Sequence, residues 1–143
     1  MKIKILTTSL TLVLFAGAAS ASSDKKGEFH GLKECSQYNF LAGGFCSFTS
    51  SNLAEIPAGT RVYYDQAANI PAGMLDSNVI LDAGQGNRAV GRCTVAFNTG
   101  LGLCTFTDGI GKFAGFSARI NVRIDFQSGV TYWDGTYSFD KVN

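Results

Sequence analysis

The amino-acid sequence predicts an all-β fold, a small antiparallel barrel of about eight strands. Two observations lead to it. Phe116, Ala118, Ile120, Val122, Ile124 and Phe126 alternate strictly with Ser117, Arg119, Asn121, Arg123, Asp125 and Gln127; period two describes a half-buried strand, whereas a helix would mix the two sets on every face. Elsewhere, short β-branched and aromatic runs recur between glycine-rich turns at the spacing of a sandwich or a closed barrel. Closure is favoured because it removes unpaired sheet edges.

The chain opens with Lys2 and Lys4, an apolar run from Ile5 to Ala16, and the small residues Ala19-Ser20-Ala21. This is the three-part pattern of a secretory signal peptide. The apolar run is shorter than the roughly 20 residues of a spanning helix. Cleavage after Ala21 is expected, placing the protein outside the cell or in a periplasm. Residues 22–34 are polar, with the run Asp24-Lys25-Lys26, and read as a flexible lead-in; residues 35–143 read as the barrel domain.

Without Lys2 and Lys4, 10 Lys and Arg stand against 11 Asp and Glu, a formal charge of −1. No basic stripe suggests a nucleic-acid partner, and no second apolar segment or basic amphipathic helix suggests stable membrane insertion.

Four cysteines in an exported chain point to disulfides, with three connectivities open in principle. An internal echo narrows them. Cys35 and Cys46 are separated by 11 positions, as are Cys93 and Cys104, and Cys46-Ser-Phe-Thr49 parallels Cys104-Thr-Phe-Thr107. Gly44 and Gly102 also match. Two similar hairpins, bridged Cys35–Cys46 and Cys93–Cys104, are therefore expected.

Individual strands follow. Thr60–Asp65 and Val79–Ala83 are bounded by Pro57-Ala-Gly59 and Gly84-Gln-Gly-Asn87. Ala89–Phe97 and Leu101–Thr107 form a hairpin around Asn98-Thr-Gly100. Facing Cys93 with Cys104 sets Val95 against Gly102, Phe97 against Gly100 and Gly91 against Phe106, so aromatic rings cover cross-strand glycines. Val130–Phe139 closes the set, with Trp133, Tyr137 and Phe139 on one face and Tyr132, Asp134, Thr136 and Ser138 on the other. Ala67–Met74, interrupted by Pro71 and Gly73, leaves room for a helical turn at most.

Two of these segments resemble a known family. The stretch Asp108-Gly-Ile-Gly-Lys-Phe-Ala-Gly-Phe-Ser-Ala-Arg119 is similar to the GGTGKFAGARG strand opening of the allene oxide cyclase and dirigent superfamily. Trp133-Asp-Gly-Thr-Tyr-Ser-Phe139 resembles the closing strand of its bacterial members. The resemblance covers roughly 61–139 and implies an eight-stranded barrel with an apolar lumen, often oligomeric in the plant relatives, so a homo-oligomer is an expectation here. Its motifs are structural glycines and aromatics. The polar residues with which the plant cyclases steer a fatty-acid epoxide map onto no position of this chain, and the paired cysteines depart from the plant pattern.

Familiar chemical motifs are weak. Gly84–Ala89 and Gly109–Ala114 match G-x-G-x-x-A, but β-patterned segments follow where a dinucleotide site needs a helix; both read as turns. Gly111-Lys112 is followed by Phe113 and so makes no P-loop. The single histidine, His30, and the cysteine spacing give no metal site, and no G-x-S-x-G elbow occurs. No cofactor is expected. Carboxylates, arginines and tyrosines remain. Tyr64, Asp65 and Asp134 are the catalytic candidates, and Tyr63, Arg119 and Tyr132 the binding candidates, on the premise that some of them ring or enter a lumen. Most polar positions on these strands would otherwise form a solvated exterior laced with weak ion pairs.

The leading expectation is a barrel that binds a small lipophilic or aromatic molecule in its lumen. A cofactor-free isomerase or cyclase and a non-catalytic interaction module are the alternatives. A lumen filled by Trp133, Phe97, Phe106 and Phe116 would favour the module; an open apolar cavity with inward carboxylates would favour a carrier or an enzyme.

Overall fold

The computed structural model describes residues 25–140. The expected signal peptide and its cleavage point at Ala21 lie outside them. Eight strands form a closed antiparallel barrel in simple up-and-down order: β1 (Lys25–Glu34), β2 (Phe45–Ser51), β3 (Arg61–Tyr64), β4 (Met74–Asp82), β5 (Arg88–Ala96), β6 (Leu101–Ile110), β7 (Phe116–Asp125) and β8 (Val130–Phe139). β1 closes the sheet against β8 in an uninterrupted ladder from Lys25↔Phe139 to Glu34↔Val130. Among the described residues no helix is long and apolar enough to cross a membrane.

Each strand supplies inward positions at every second residue. β7 shows the rule most clearly: Phe116, Ala118, Ile120 and Val122 are buried. The expected β5–β6 pairs Cys93↔Cys104, Val95↔Gly102 and Gly91↔Phe106 are present, but the ladder ends at Ala96↔Leu101, so Phe97 and Gly100 belong to the turn and it is Phe126 that packs near Gly100. The Phe106 ring and the Thr105 carbonyl occupy the space a side chain at Gly91 would need. Cysteines 35 and 46 are bonded, as are 93 and 104. Two bridges fit an oxidising compartment.

Two boundaries differ from the sequence reading. The segment 25–34 is no flexible lead-in but a full strand of the barrel, so the domain begins at Lys25 and not at Cys35. Its inward residues are Phe29, Gly31 and Lys33, and only one of these is apolar and large, which hid the period. Likewise β4 begins at Met74. Asp76-Ser-Asn78 looks like turn chemistry, yet Ser77 sits fully buried because its hydroxyl donates to the Asn78 carbonyl (2.6 Å) and accepts the Gln66 N–H (3.0 Å).

The lumen has two unlike halves. At one end Phe29, Phe48, Phe106, Phe116 and Trp133 interlock, with ring centroids 5.3–6.0 Å apart in the Phe48–Trp133, Phe29–Phe48 and Phe106–Trp133 pairs. A 3₁₀ turn, Gly111–Phe113, buries Phe113 against Phe116 (5.3 Å). Leu53 and Ile56, in the β2–β3 connection at the same end, are also buried. Toward the opposite end, where β1–β2, β3–β4, β5–β6 and β7–β8 turn, the barrel is hollow.

Candidate functional site in the barrel lumen

The hollow half is a cavity of about 480 Å³, inside the range of small-molecule sites. Leu75, Val95, Phe97, Val122 and Ile124 line its wall, together with the cystine sulfurs' own residues Cys46 and Cys104. Two residues of the β1–β2 connection, Tyr38 and Phe40, reach across its mouth. Tyr38 packs on Tyr64 and Phe40, both at 5.0 Å between centroids, and Phe40 meets Phe97 edge-on at 5.7 Å. The bridge from Cys35, just past β1, to Cys46 in β2 ties down the connection that carries them.

The rim is apolar too. Phe40, Leu41, Ile70, Met74, Leu101 and Phe126 are exposed large apolar side chains, and all belong to the strand ends and loops of this end of the barrel. Isolated exposed apolar residues are ordinary; their concentration around one opening is not.

Lys33 is the chemical centre of this cavity. It is 1% exposed, on the inward face of β1, where an irregularity against β2 falls between Leu32 and Lys33. Such bulges re-aim side chains. The amine Nζ donates to Tyr64 Oη at 2.9 Å and lies 3.9 Å from the centroid of the Trp133 ring. Among the described residues no carboxylate pairs with it. Glu34, the acid at the mouth, turns to the Ser36 amide (2.9 Å) and hydroxyl (2.5 Å). Burial therefore acts on the amine without an ion pair to offset it, and holds its pKa well below the ordinary lysine value. Burial, reinforced by neighbouring Tyr38, raises the Tyr64 phenol, which stays protonated throughout the physiological range. Two further polar atoms here, Tyr38 Oη and Trp133 Nε1, are buried without a hydrogen-bond partner. The cavity thus joins an apolar wall to a donor-rich floor holding one amine and one phenol.

The sequence candidates fall on both sides of the wall. Tyr64 lies inside and touches Lys33. Its neighbour Tyr63 points outward, packs on Phe45 (5.5 Å) and accepts a hydrogen bond from Arg61 (3.3 Å). Asp65, one residue past β3, is exposed. Asp134 is on the outer surface, where Oδ1 meets His30 Nδ1 at 2.7 Å; that hydrogen bond is the main cause of a raised His30 pKa. Arg119 is exposed on the outer face of β7, and Tyr132 lies outside beneath the Arg123 guanidinium (4.0 Å). Only Tyr64 of the six reaches the cavity. Lys33 was not among the candidates, because it stood in a segment read as a lead-in. A lysine two positions from Gly31 and four from Phe29, all on one strand face, is the signal that would have found it. Comparison with protein-family models, with curated proteins and with solved structures finds no match to this chain.

Proposed function

We propose that this protein is an exported barrel that binds one small, mainly apolar or aromatic molecule in the open half of its lumen. The observation that carries the reading is the cavity itself: about 480 Å³, walled chiefly by aliphatic and aromatic side chains, with Lys33 and Tyr64 at its floor. An apolar rim gives such a molecule a path out of water. Trp133, Phe106 and Phe116 fill only the far half, while Phe97 lines open space, so the packing favours a binding lumen over an inert interaction module. The resemblance of Asp108–Arg119 and Trp133–Phe139 to the allene oxide cyclase and dirigent superfamily supports the same proposal, since that fold also carries an apolar lumen.

Trp133 is the single tryptophan and forms the floor of the cavity, so its fluorescence reports occupancy directly. Titration with 2-naphthalenemethanol should give a saturable change with one site per chain, abolished in Val95→Trp by filling the cavity once the added indole's own signal is subtracted. A strictly linear response, unaltered by the wall substitution, would refute lumen binding. Export is tested separately: the mature protein recovered from outside the cytoplasm should begin at Ser22, and recovery only inside with Met1 retained would refute it.

A second reading, a cofactor-free isomerase or cyclase, draws support from the Lys33–Tyr64 pair, which places an uncharged amine beside a phenol. A substrate found in the lumen should then lose turnover in Tyr64→Phe while still binding.

A further inference from the structure

We infer that Lys33 is an imine-forming nucleophile, and that the molecule this lumen takes is an apolar aldehyde or ketone held covalently through its carbonyl carbon. The inference rests on the lumen-binding reading above and deepens it. Four observations bear on it. Lys33 sits at the end of a cavity walled chiefly by apolar groups, so an apolar tail filling the cavity points its head at Nζ. No carboxylate engages the amine among the described residues, so the ammonium has only the aromatic faces, chiefly Trp133 at 3.9 Å, to offset its burial. Tyr64 Oη, at 2.9 Å, is a protonated hydroxyl within reach of both the nitrogen and anything bonded to it. Both cysteine pairs are oxidised, which leaves the amine without a competing thiol in the cavity.

The groups facing Nζ from neighbouring strands are Tyr64 on β3, Trp133 on β8 and Phe48 on β2, with its ring centroid 6.0 Å away; none carries a formal charge near neutral pH. A lysine so placed is a nucleophile of the kind that forms Schiff bases. The neutral amine attacks the carbonyl carbon, and the C=O π pair moves to oxygen. One N–H proton passes through the Tyr64 hydroxyl to that oxygen, giving a carbinolamine. The C–O bond then breaks, with the second N–H proton delivered by the same relay, releasing one water and leaving a C=N bond. Amine plus carbonyl thus gives imine plus water, with no change of oxidation state and no further reagent.

Reductive trapping tests this on the folded, oxidised protein. The protein is incubated with 2-naphthaldehyde and sodium cyanoborohydride near pH 7, and adducts are located by peptide mapping, which separates the N-terminal α-amine that labels in any protein. One adduct at Lys33 is expected, formed well ahead of those at the exposed Lys25, Lys26 and Lys112. Lysines in water gain neutral amine, and so labelling rate, by about tenfold per pH unit below 10.4; burial lowers the Lys33 pKa, so its labelling should rise with pH less steeply than theirs. Tyr64→Phe should slow it, because the proton relay to the carbonyl oxygen is lost. Labelling spread over the surface lysines by exposure, or none at Lys33 while 2-naphthalenemethanol still perturbs Trp133, overturns the inference and spares the lumen reading. A carboxylic acid of the same shape that binds at Lys33, with no trapped aldehyde, does the same and marks the amine as an anion site. Failure of both alcohol and aldehyde to bind removes the lumen reading and this inference together.

Discussion

Replacing Lys33 by methionine separates two opposing effects by pH. Methionine is close in length and apolar, so the packing against Trp133 and Phe48 is largely kept. What disappears is the hydrogen bond to Tyr64, and a buried phenol left without its partner costs about 1–3 kcal/mol. Against that stands the amine's own burden. Its folded pKa is lowered by burial, so below the unfolded value the unfolded chain binds a proton that the folded chain resists. Stability of the native protein therefore rises with pH through this window, by up to about 1.4 kcal/mol per pH unit. It levels off below the folded pKa and above the unfolded one. About two pH units of that slope match the upper end of the cost of the lost hydrogen bond. Lys33→Met should thus be less stable than the native protein near pH 10.5, yet equal or more stable near neutrality. Urea unfolding followed by Trp133 fluorescence, with both disulfides intact, measures this. Tyr64 and Tyr38 are present in both proteins, so the greater part of their own titration cancels in the difference. Parallel stability curves from pH 7 to 10.5 would refute the reasoning, since they would mean that Lys33 keeps an ordinary proton in the fold.

Other expectations concern the scaffold and the outer surface. Cys93→Ala with Cys104→Ala opens a bridge that closes a short loop deep in the barrel, and a loss of about 3 kcal/mol is expected from the chain-entropy argument, read as a lower thermal midpoint; an unchanged midpoint would deny the bridge a stabilising role. Gly91→Val forces a side chain into the Thr105 carbonyl and the Phe106 ring, and overpacking of this kind costs about 1–3 kcal/mol in denaturant unfolding. Asp134→Asn should bring the His30 pKa down toward the ordinary value, because the hydrogen bond that the imidazole donates to Asp134 is the largest cause of its elevation. The chain has one histidine, so a single imidazole resonance followed against pH decides the matter, and lumen binding should not change.

Parts of this fold could be read from residues alone, for definable reasons. The β5–β6 hairpin carries its register three times over, in the cysteine pair, in the turn, and in glycines set opposite Phe106 and Val95. Strand β7 is legible because every inward position is apolar and every outward one polar. The β1 strand was not, because the apolar signal assumes that inward means hydrophobic. Gly31 is inward to leave room for Phe29 and Phe48, whose rings lie where its side chain would be. Lys33 is inward to meet Tyr64.

The same inversion explains why the site was harder to read than the barrel. A search for function in sequence looks for polar residues on strands, and the sheet offers many: Arg119, Asp134 and Tyr132 alternate as expected and all face water. Alternation says which residues share a face but not which face is inside, unless the apolar partners settle it. For β7 and β8 they do, and the polar candidates on those strands are outside for that reason. For β3, four residues long, Val62 alone decides, and it draws Tyr64 inward while Tyr63 turns out. For β1 the decision lies with the neighbours on β2 and β8, which only the closed sheet brings together. A charged side chain on the inner face breaks the pattern that builds the fold. Such a violation imposes a desolvation penalty on the native state, so it persists where the buried group has work that an apolar one could not do. Lys33 is the position in the described barrel where that exception is most severe.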